Sequence, residues 1–297
     1  MDTSVIAGQL FNGISLASIL LLAAFGLALS FGVMNVINMA HGEMLMVGGY
    51  VSYLVCRVVH GWASLPCSLV GAFIGAALLG GLLELTVIRR LYGRPLDTLL
   101  ATWGISLILQ QGARSLFGAI GVEVTAPPWL SGSVSVGGVD LPYVRLFIIG
   151  LALLVLVLMA LFLARSPWGL LLRAVHQSRE MAEAHGVNTG RVDLAVFALG
   201  SGIAGLAGSV LALISPVTPT IGMSYIVYAF LVVIVGGLGS LLGTVLAAVL
   251  VGIFSSSVQI FTSVSFADVL LLVMVVLFIQ FRPKGIIYTR SRALEES

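Results

Sequence analysis

A polar break separates two strongly apolar runs near the N-terminus: Asn35-Val-Ile-Asn38-Met-Ala-His41-Gly42-Glu43-Met-Leu-Met-Val-Gly48-Gly49. Two amides, an imidazole, a carboxylate and three glycines stand where a membrane span would carry leucine, isoleucine and valine. Ionisable groups at membrane depth are costly, and they commonly mark a pathway or a binding site. The break therefore predicts either a solute pathway or an interrupted helix whose free backbone groups these side chains satisfy.

The composition indicates a membrane protein. Of 297 residues, 59% are apolar and 9% are charged, whereas soluble domains carry about 25% charged residues. The net charge is only +2, and basic residues are not interleaved with aromatic ones, so no nucleic-acid partner is expected. Cys56 and Cys67 are predicted to be free thiols, although a disulfide would fit their spacing. Cys and His are not spaced as metal ligands.

Nine apolar segments approach the length of about 20 residues that a membrane span needs. They are 7–31, 36–57, 65–88, 98–118, 144–164, 195–214, 224–238, 243–261 and 266–281. The seventh is short and flanked by glycine. We therefore predict an all-α polytopic membrane protein with eight or nine helices, some of them broken or re-entrant, in one domain covering residues 1–297.

Basic residues predict the orientation. Eleven of the 14 lie in the loop 89–97, the loop 165–194 and the tail after residue 281. The positive-inside rule places these segments in the cytoplasm, and the N-terminus then lies outside. The loop 119–143 holds three prolines and two acids. It is predicted to be an external cap or docking surface.

An echo within the chain suggests an inverted repeat. Met46-Val-Gly48-Gly49-Tyr-Val-Ser52 resembles Ile234-Val-Gly236-Gly237-Leu-Gly-Ser240, and each copy follows a polar or proline-containing break. Under the predicted topology the two pairs of spans run in opposite directions, as in inverted-repeat transporters. Chance in a chain rich in glycine and valine explains the echo equally well. The two breaks supply the candidate pathway residues: Asn35, Asn38, His41, Glu43, Thr218, Ser224 and Tyr225.

The same side chains have an architectural interpretation. Asn38 could cap the following half-helix, and Glu43 in its first turn would be stabilised by the helix dipole. Asn35 and Asn38 are the better candidates for contact with a neutral solute, which gains nothing from a full charge. Glu84 is predicted to pair with Arg89 or Arg90.

Glycines in the apolar segment 195–214 predict a close contact between helices. They are Gly200, Gly202, Gly205 and Gly208. A second membrane chain is one candidate for the other side of this contact.

The loop 165–194 contains Glu180-Met-Ala182-Glu-Ala-His-Gly186. Ser178 or Gln177 could cap a short helix, and Gly186 could end it by adopting a left-handed conformation. Such a helix would fit a cleft on a cytoplasmic partner. An ordinary solvated loop helix has the same pattern.

The pattern Glu-x-Ala-x-x-x-Gly resembles the coupling segment of bacterial ABC importer permeases, with Met181 where alanine is usual. The stretch Val36–Tyr50 resembles the signature of the branched-chain amino acid permease family. Further similar stretches are Phe197–Gly208, Val235–Ser240 and Arg282–Gly285. Within that family, residues 93–111 are similar to the urea-transporting branch. Tyr228 and Ala229 depart from that branch, which usually has Asp and Ser there.

The resemblance implies a permease subunit of an ATP-driven importer in a bacterial inner membrane. It implies urea or a short amide as the solute, with branched-chain amino acids as the alternative. The implied partners are a second homologous permease, two cytoplasmic ATPases, an external binding protein and membrane lipid. The implied coupling residues are Ser178, Arg179, Glu180, Ala182 and Gly186.

Nucleotide chemistry is not expected in this chain. It has no Gly-x-x-x-x-Gly-Lys-Ser/Thr motif, and its single lysine, Lys284, lies in the tail. ATP and magnesium should therefore bind to the partner ATPases, and this chain should hold no cofactor and have no enzymatic activity. A channel or secondary transporter that works alone is a more distant alternative.

Overall fold

The computed structural model describes residues 3–34, 36–136 and 138–287. In this part of the chain there are eleven α-helices and one antiparallel hairpin, formed by β1 (Ser133–Val136) and β2 (Val139–Pro142). The helices are α1 (Thr3–Met34), α2 (His41–Val58), α3 (Ser64–Thr86), α4 (Pro95–Phe117), α5 (Tyr143–Arg165), α6 (Pro167–Gln177), α7 (Arg179–Ala184), α8 (Thr189–Leu211), α9 (Ile221–Gly236), α10 (Leu241–Val258) and α11 (Val264–Phe281). The prediction of an all-α polytopic membrane protein is confirmed.

Each of the nine predicted spans coincides with one helix. Among the described residues, six helices are long and apolar enough to cross a membrane: α1, α3, α5, α8, α10 and α11. The helix α9 has 16 residues, which corresponds to about 24 Å against a hydrocarbon thickness of about 30 Å. By length α9 fits the predicted class of broken or re-entrant segments.

The centre of the bundle is formed by α1 and α8. The helix α1 packs on α8, α9 and α10, while α8 packs on α1, α2 and α3. The most apolar stretches of α5 and α11 are only 22% and 17% buried, against 78% for α1. The outer helices therefore present their apolar faces to lipid or to another chain.

Glycines allow the central helices to approach at their backbones. A side-chain carbon added at Gly26 would collide with the carbonyl of Gly200, and one at Gly208 would collide with the carbonyl of Leu45. One at Gly202 would meet the ring of Phe73. In lipid, small residues permit the close packing that drives association of helices. The predicted glycine contact is confirmed, but α8 makes it with α1, α2 and α3 of the same chain.

The helix pairs α1–α2 and α8–α9, each interrupted by one of the breaks, pack on each other reciprocally. Gly42, the second residue of α2, and Gly222, the second residue of α9, each lie against the backbone carbonyl of the other. Gly26 of α1 and Gly200 of α8 do the same. Moreover, α10 packs on α1 as α3 packs on α8. Reciprocal contacts are what a twofold relation produces, so this packing fits an inverted repeat of α1–α3 and α8–α10.

The two copies of the sequence echo do not occupy corresponding positions in that repeat. Its first copy, residues 46–52, lies inside α2, whereas its second copy, residues 234–240, leaves α9 through a turn at Gly237 with φ 102°. The glycines that correspond in space are Gly42 and Gly222. The two echo segments are therefore not in corresponding positions, which agrees with chance as the explanation of the echo.

Candidate functional site

In the first break, the segment between α1 and α2, backbone N–H groups donate hydrogen bonds to polar side chains of the break and of α4. Asn38 is buried, and its Oδ1 accepts a hydrogen bond from the N–H of Ala40 at 3.0 Å. The N–H of Met39 donates to Oγ1 of Thr102 in α4 at 3.1 Å. Since Ala40 is the N-cap of α2 and no side chain caps the helix, the predicted capping role of Asn38 is wrong. Its side chain instead closes a turn two residues along. Asn35 lies outside the described residues.

His41 and Glu43 contact different helices. The Nε2 atom of His41 lies 3.1 Å from the carbonyl oxygen of Ala23, well inside α1, so α2 begins within the bundle. Glu43 stands in the first turn of α2, as predicted, and is fully buried. Its Oε1 accepts hydrogen bonds from Ser106 at 2.8 Å and from Gln110 at 2.9 Å, both on α4. The sequence analysis did not identify Ser106 and Gln110 as the partners of Glu43.

The second break lies against the predicted external loop. Val217 and Val122 form an antiparallel bridge with N–H to O distances of 2.8 and 3.0 Å. Thr218 and Tyr225 are partly buried, and Ser224 is exposed. The two breaks meet where Gly42 faces Gly222, and the free carboxylate oxygen of Glu43 is also close to Gly222.

The predicted coupling segment forms a capped helix, α7. The Oγ of Ser178 accepts a hydrogen bond from the N–H of Met181 at 3.4 Å. Gly186 has φ 83°, and the N–H groups of residues 186 and 187 bond back to the last turn. This is the arrangement in which a glycine commonly ends a helix. Ala182 is buried, whereas Glu180 and Met181 face outward.

A helix that the sequence analysis did not predict, α6, precedes α7. The Oγ of Ser166 accepts a hydrogen bond from the N–H of Gly169 at 2.9 Å, and Pro167 occupies the first helical position. Serine as N-cap followed by proline is a common start signal. Nδ1 of His176, near the end of α6, contacts the carbonyl of Gly32 in α1.

Arg179 ties α7 to the transmembrane helices. Its guanidinium contacts both carboxylate oxygens of Asp193 in α8, at 2.6 and 3.4 Å, and Asp193 is fully buried. It also lies 3.6 Å from the carboxylate of Glu183 and 5.4 Å from the ring centre of Tyr92. Bidentate pairs of this kind are among the stronger charged contacts.

A second ion pair lies beside Arg179, Asp193 and Tyr92, and together these residues form one polar cluster. Tyr92 donates to Oε1 of Glu84 at 3.0 Å, and Nε of Arg89 lies 3.5 Å from the same oxygen, which confirms the predicted pair of Glu84 and Arg89. Burial, then the charges of Asp193 and Glu84, raise the pKa of Tyr92, so the phenol stays protonated and can donate. The cluster joins α3, α7, α8 and the connection before α4.

We expect Ser178→Ala to destabilise α7 by about 1 kcal/mol, because the substitution removes its N-cap acceptor. Hydrogen exchange of the α7 amides in the purified protein should become faster. Ser115→Ala is the matched control, since the hydroxyl of Ser115 is exposed and donates to the carbonyl of Gln111 within α4. Unchanged exchange in α7 would show that the cap contributes nothing to this helix.

The helix bundle, with two helices that begin inside it and an exposed capped helix, defines a polytopic α-helical membrane protein. The chain belongs to the family described as the permease component of the branched-chain amino acid transport system, which matches residues 9–279.

The proteins to which the chain is similar are named as permeases of that transport system. The chain is 28% identical to the high-affinity branched-chain amino acid transport system permease protein LivH of Escherichia coli (strain K12), over 94% of both chains. It is 27% identical to the permease protein BraD of Pseudomonas aeruginosa, again over 94% of both. It is 26% identical to LivM of Salmonella typhimurium, over 92% of this chain and 68% of LivM. No solved structure matches the chain significantly.

Proposed function

We propose that the chain is one permease subunit of an ATP-driven importer for branched-chain amino acids. The observation that carries this proposal is the similarity to LivH and BraD over 94% of each chain, because both are named as permeases of that transport system. The prediction of urea as first substrate has no support among these relatives. The alternative given with it, branched-chain amino acids, fits them better.

The proposed assembly contains a second homologous permease, two ATPases and an external binding protein. Similarity to both LivH and LivM supports a pair of related permeases. The exposed face of α7, with Glu180 and Met181, would dock on an ATPase, while Ser178, Ala182 and Gly186 hold its shape. ATP and magnesium would bind to the ATPases, and this chain would hold no cofactor.

The proposed setting is the bacterial inner membrane. The N-terminus would lie outside, and α6, α7 and the C-terminus would lie in the cytoplasm. The loop 119–143 would face the binding protein, and the whole chain would form one permease domain. The described part of that loop contains the hairpin, and the loop is joined to the second break through Val122 and Val217.

Urea stays the second candidate because of one feature of the site. The stretch that resembles the urea-transporting branch, residues 93–111, includes most of α4. It supplies Ser106 and Gln110, the two hydrogen-bond donors to Glu43. Related permeases that carry different solutes would be expected to differ in such residues.

Uptake by the complete transporter decides between these candidates. Proteoliposomes that enclose ATP and contain both permeases, the ATPases and the binding protein should accumulate labelled leucine. Excess isoleucine or valine should compete, and urea should not. Liposomes without ATP are the control. Accumulation of urea but not leucine would establish the urea candidate, and equilibration of either solute by the chain alone would establish a self-sufficient channel.

A further inference from the structure

The helix α4 turns a polar stripe toward the rest of the chain. Its buried residues are Thr98, Thr102, Ser106, Gln110 and Ala113. The first four are spaced by four residues and so lie on one helix face. Leu100, Leu107 and Ile108 are exposed around the helix. A helix in lipid that exposes apolar side chains and buries polar ones is expected to border a polar site.

This stripe faces the first break and the beginnings of α2 and α9. Thr102 accepts from the backbone of the break, and Ser106 and Gln110 donate to Glu43. The Oγ of Ser106 also lies 3.8 Å from the sulfur of Met223 in α9. The contact region between the α4 stripe and the starts of α2 and α9 is called the α4 seam below.

Two buried polar atoms along the first break and the start of α2 have no hydrogen-bond partner in the described part of the chain. They are Oε2 of Glu43 and Nδ2 of Asn38, whose residues are 0% and 1% exposed. An unsatisfied buried donor or acceptor is strongly unfavourable, so such atoms in native proteins call for a partner. One free acceptor and one free donor therefore stand on the same short segment beside α4.

We infer that the α4 seam is a solute site within this subunit. It would accept the ammonium group of an amino acid at Oε2 of Glu43 and a carboxylate oxygen at Nδ2 of Asn38. This inference rests on the proposed importer function. A full carboxylate charge suits an ammonium group better than neutral urea, because charge-assisted hydrogen bonds are the stronger ones. The thioether of Met223 supplies an adaptable apolar surface for an aliphatic side chain.

Because hydrogen bonds hold the α4 seam together, α4 and the start of α2 can move apart there. A hydrogen bond within the protein can be exchanged for one to water or solute with little net change in free energy. Ser106 and Gln110 can therefore release Glu43 when solute enters. In a tightly packed apolar contact the same movement would leave a void and lose its packing.

Cysteine accessibility tests this site in the complete transporter. Cys56 and Cys67 are free thiols and would first be replaced by serine. Ser106→Cys places a thiol in the α4 seam, and Ile108→Cys places one on the lipid-facing side of α4, where residue 108 is 71% exposed. A charged, water-soluble thiol reagent should label Ser106→Cys in at least one stage of the ATP cycle. Saturating leucine should abolish that labelling, and Ile108→Cys should stay unlabelled.

Thr102→Cys, one helical turn away, is the second variant if Ser106→Cys does not fold. Absence of labelling at both positions, or labelling that leucine does not change, in a transporter that still accumulates leucine would overturn the site. Protection by urea and not by leucine would overturn the assignment of an ammonium group to Glu43. Failure of the proposed function would be seen separately, because the unsubstituted transporter would then show no ATP-driven accumulation.

Discussion

In the proposed transporter, replacing Arg179 by glutamine should stop solute uptake while the partner ATPases continue to hydrolyse ATP. The substitution leaves the buried Asp193 without its nearest counter-charge. Breaking a buried pair by removing one partner costs about 3–5 kcal/mol. The cost here should lie at or below the lower end, because Arg179 is 39% exposed. The helix α7 would lose its anchor to α8, so movement of an ATPase would no longer reach the bundle. Uptake and hydrolysis measured in the same proteoliposomes check this.

The controls separate coupling from folding. Arg94→Gln removes an exposed pair with Asp97 at 3.8 Å, and such pairs contribute at most about 1 kcal/mol, so uptake should be normal. Exchange of the two charges, Arg179→Asp together with Asp193→Arg, should restore part of the uptake. Normal uptake in Arg179→Gln would contradict the role of this anchor. Loss of the assembled complex would indicate a structural role only.

The fold could be predicted largely because membrane spans are marked by length and apolarity alone. The predicted boundaries failed where a cap decides them. The helix α8 begins at Thr189, six residues before the predicted segment, because Oδ1 of Asn188 accepts from the N–H of Arg191 at 3.1 Å. The start of α6 is marked by Ser166 and Pro167 in the sequence. The prediction of a loop at these residues rests on the surrounding charges, which are typical of a solvated segment.

The candidate site could be predicted only in part. The polarity of the first break identified Glu43, but not its partners on α4, which are 63 and 67 residues away in the chain. The choice of partner depends on the rotation of α4 about its axis. The four-residue spacing from Thr98 to Gln110 contains that information. It becomes meaningful only once the apolar residues between them are known to face outward.

The reciprocal packing of glycines depends on three-dimensional register in the same way. Glycine content indicates that helices approach closely, but it does not identify which glycine faces which. Gly42 and Gly222 meet because both occupy the second position of a helix that begins inside the bundle. The sequence echo pointed instead to Gly48 and Gly236, which are not in corresponding positions.

Gly208→Ala should destabilise the protein, whereas Gly112→Ala should leave it unchanged or stabilise it. A methyl group at residue 208 would collide with the backbone carbonyl of Leu45, so α2 and α8 would have to separate. Overpacking of this kind costs about 1–3 kcal/mol. A methyl group at residue 112, also helical, meets no atom within 4 Å. There alanine gains up to about 1 kcal/mol of helix propensity over glycine.

Thermal unfolding of the two purified variants in detergent measures this difference in stability. Leucine uptake by the complete transporter tests whether the substitution also affects the candidate site. Because α2 carries Glu43, separation of α2 from α8 would also displace that carboxylate from Ser106 and Gln110. Gly208→Ala should therefore reduce uptake more than its loss of stability explains, and Gly112→Ala should transport normally. Equal stability of the two variants would mean that α2 and α8 can separate freely. The glycine packing would then not be what holds the first break in position.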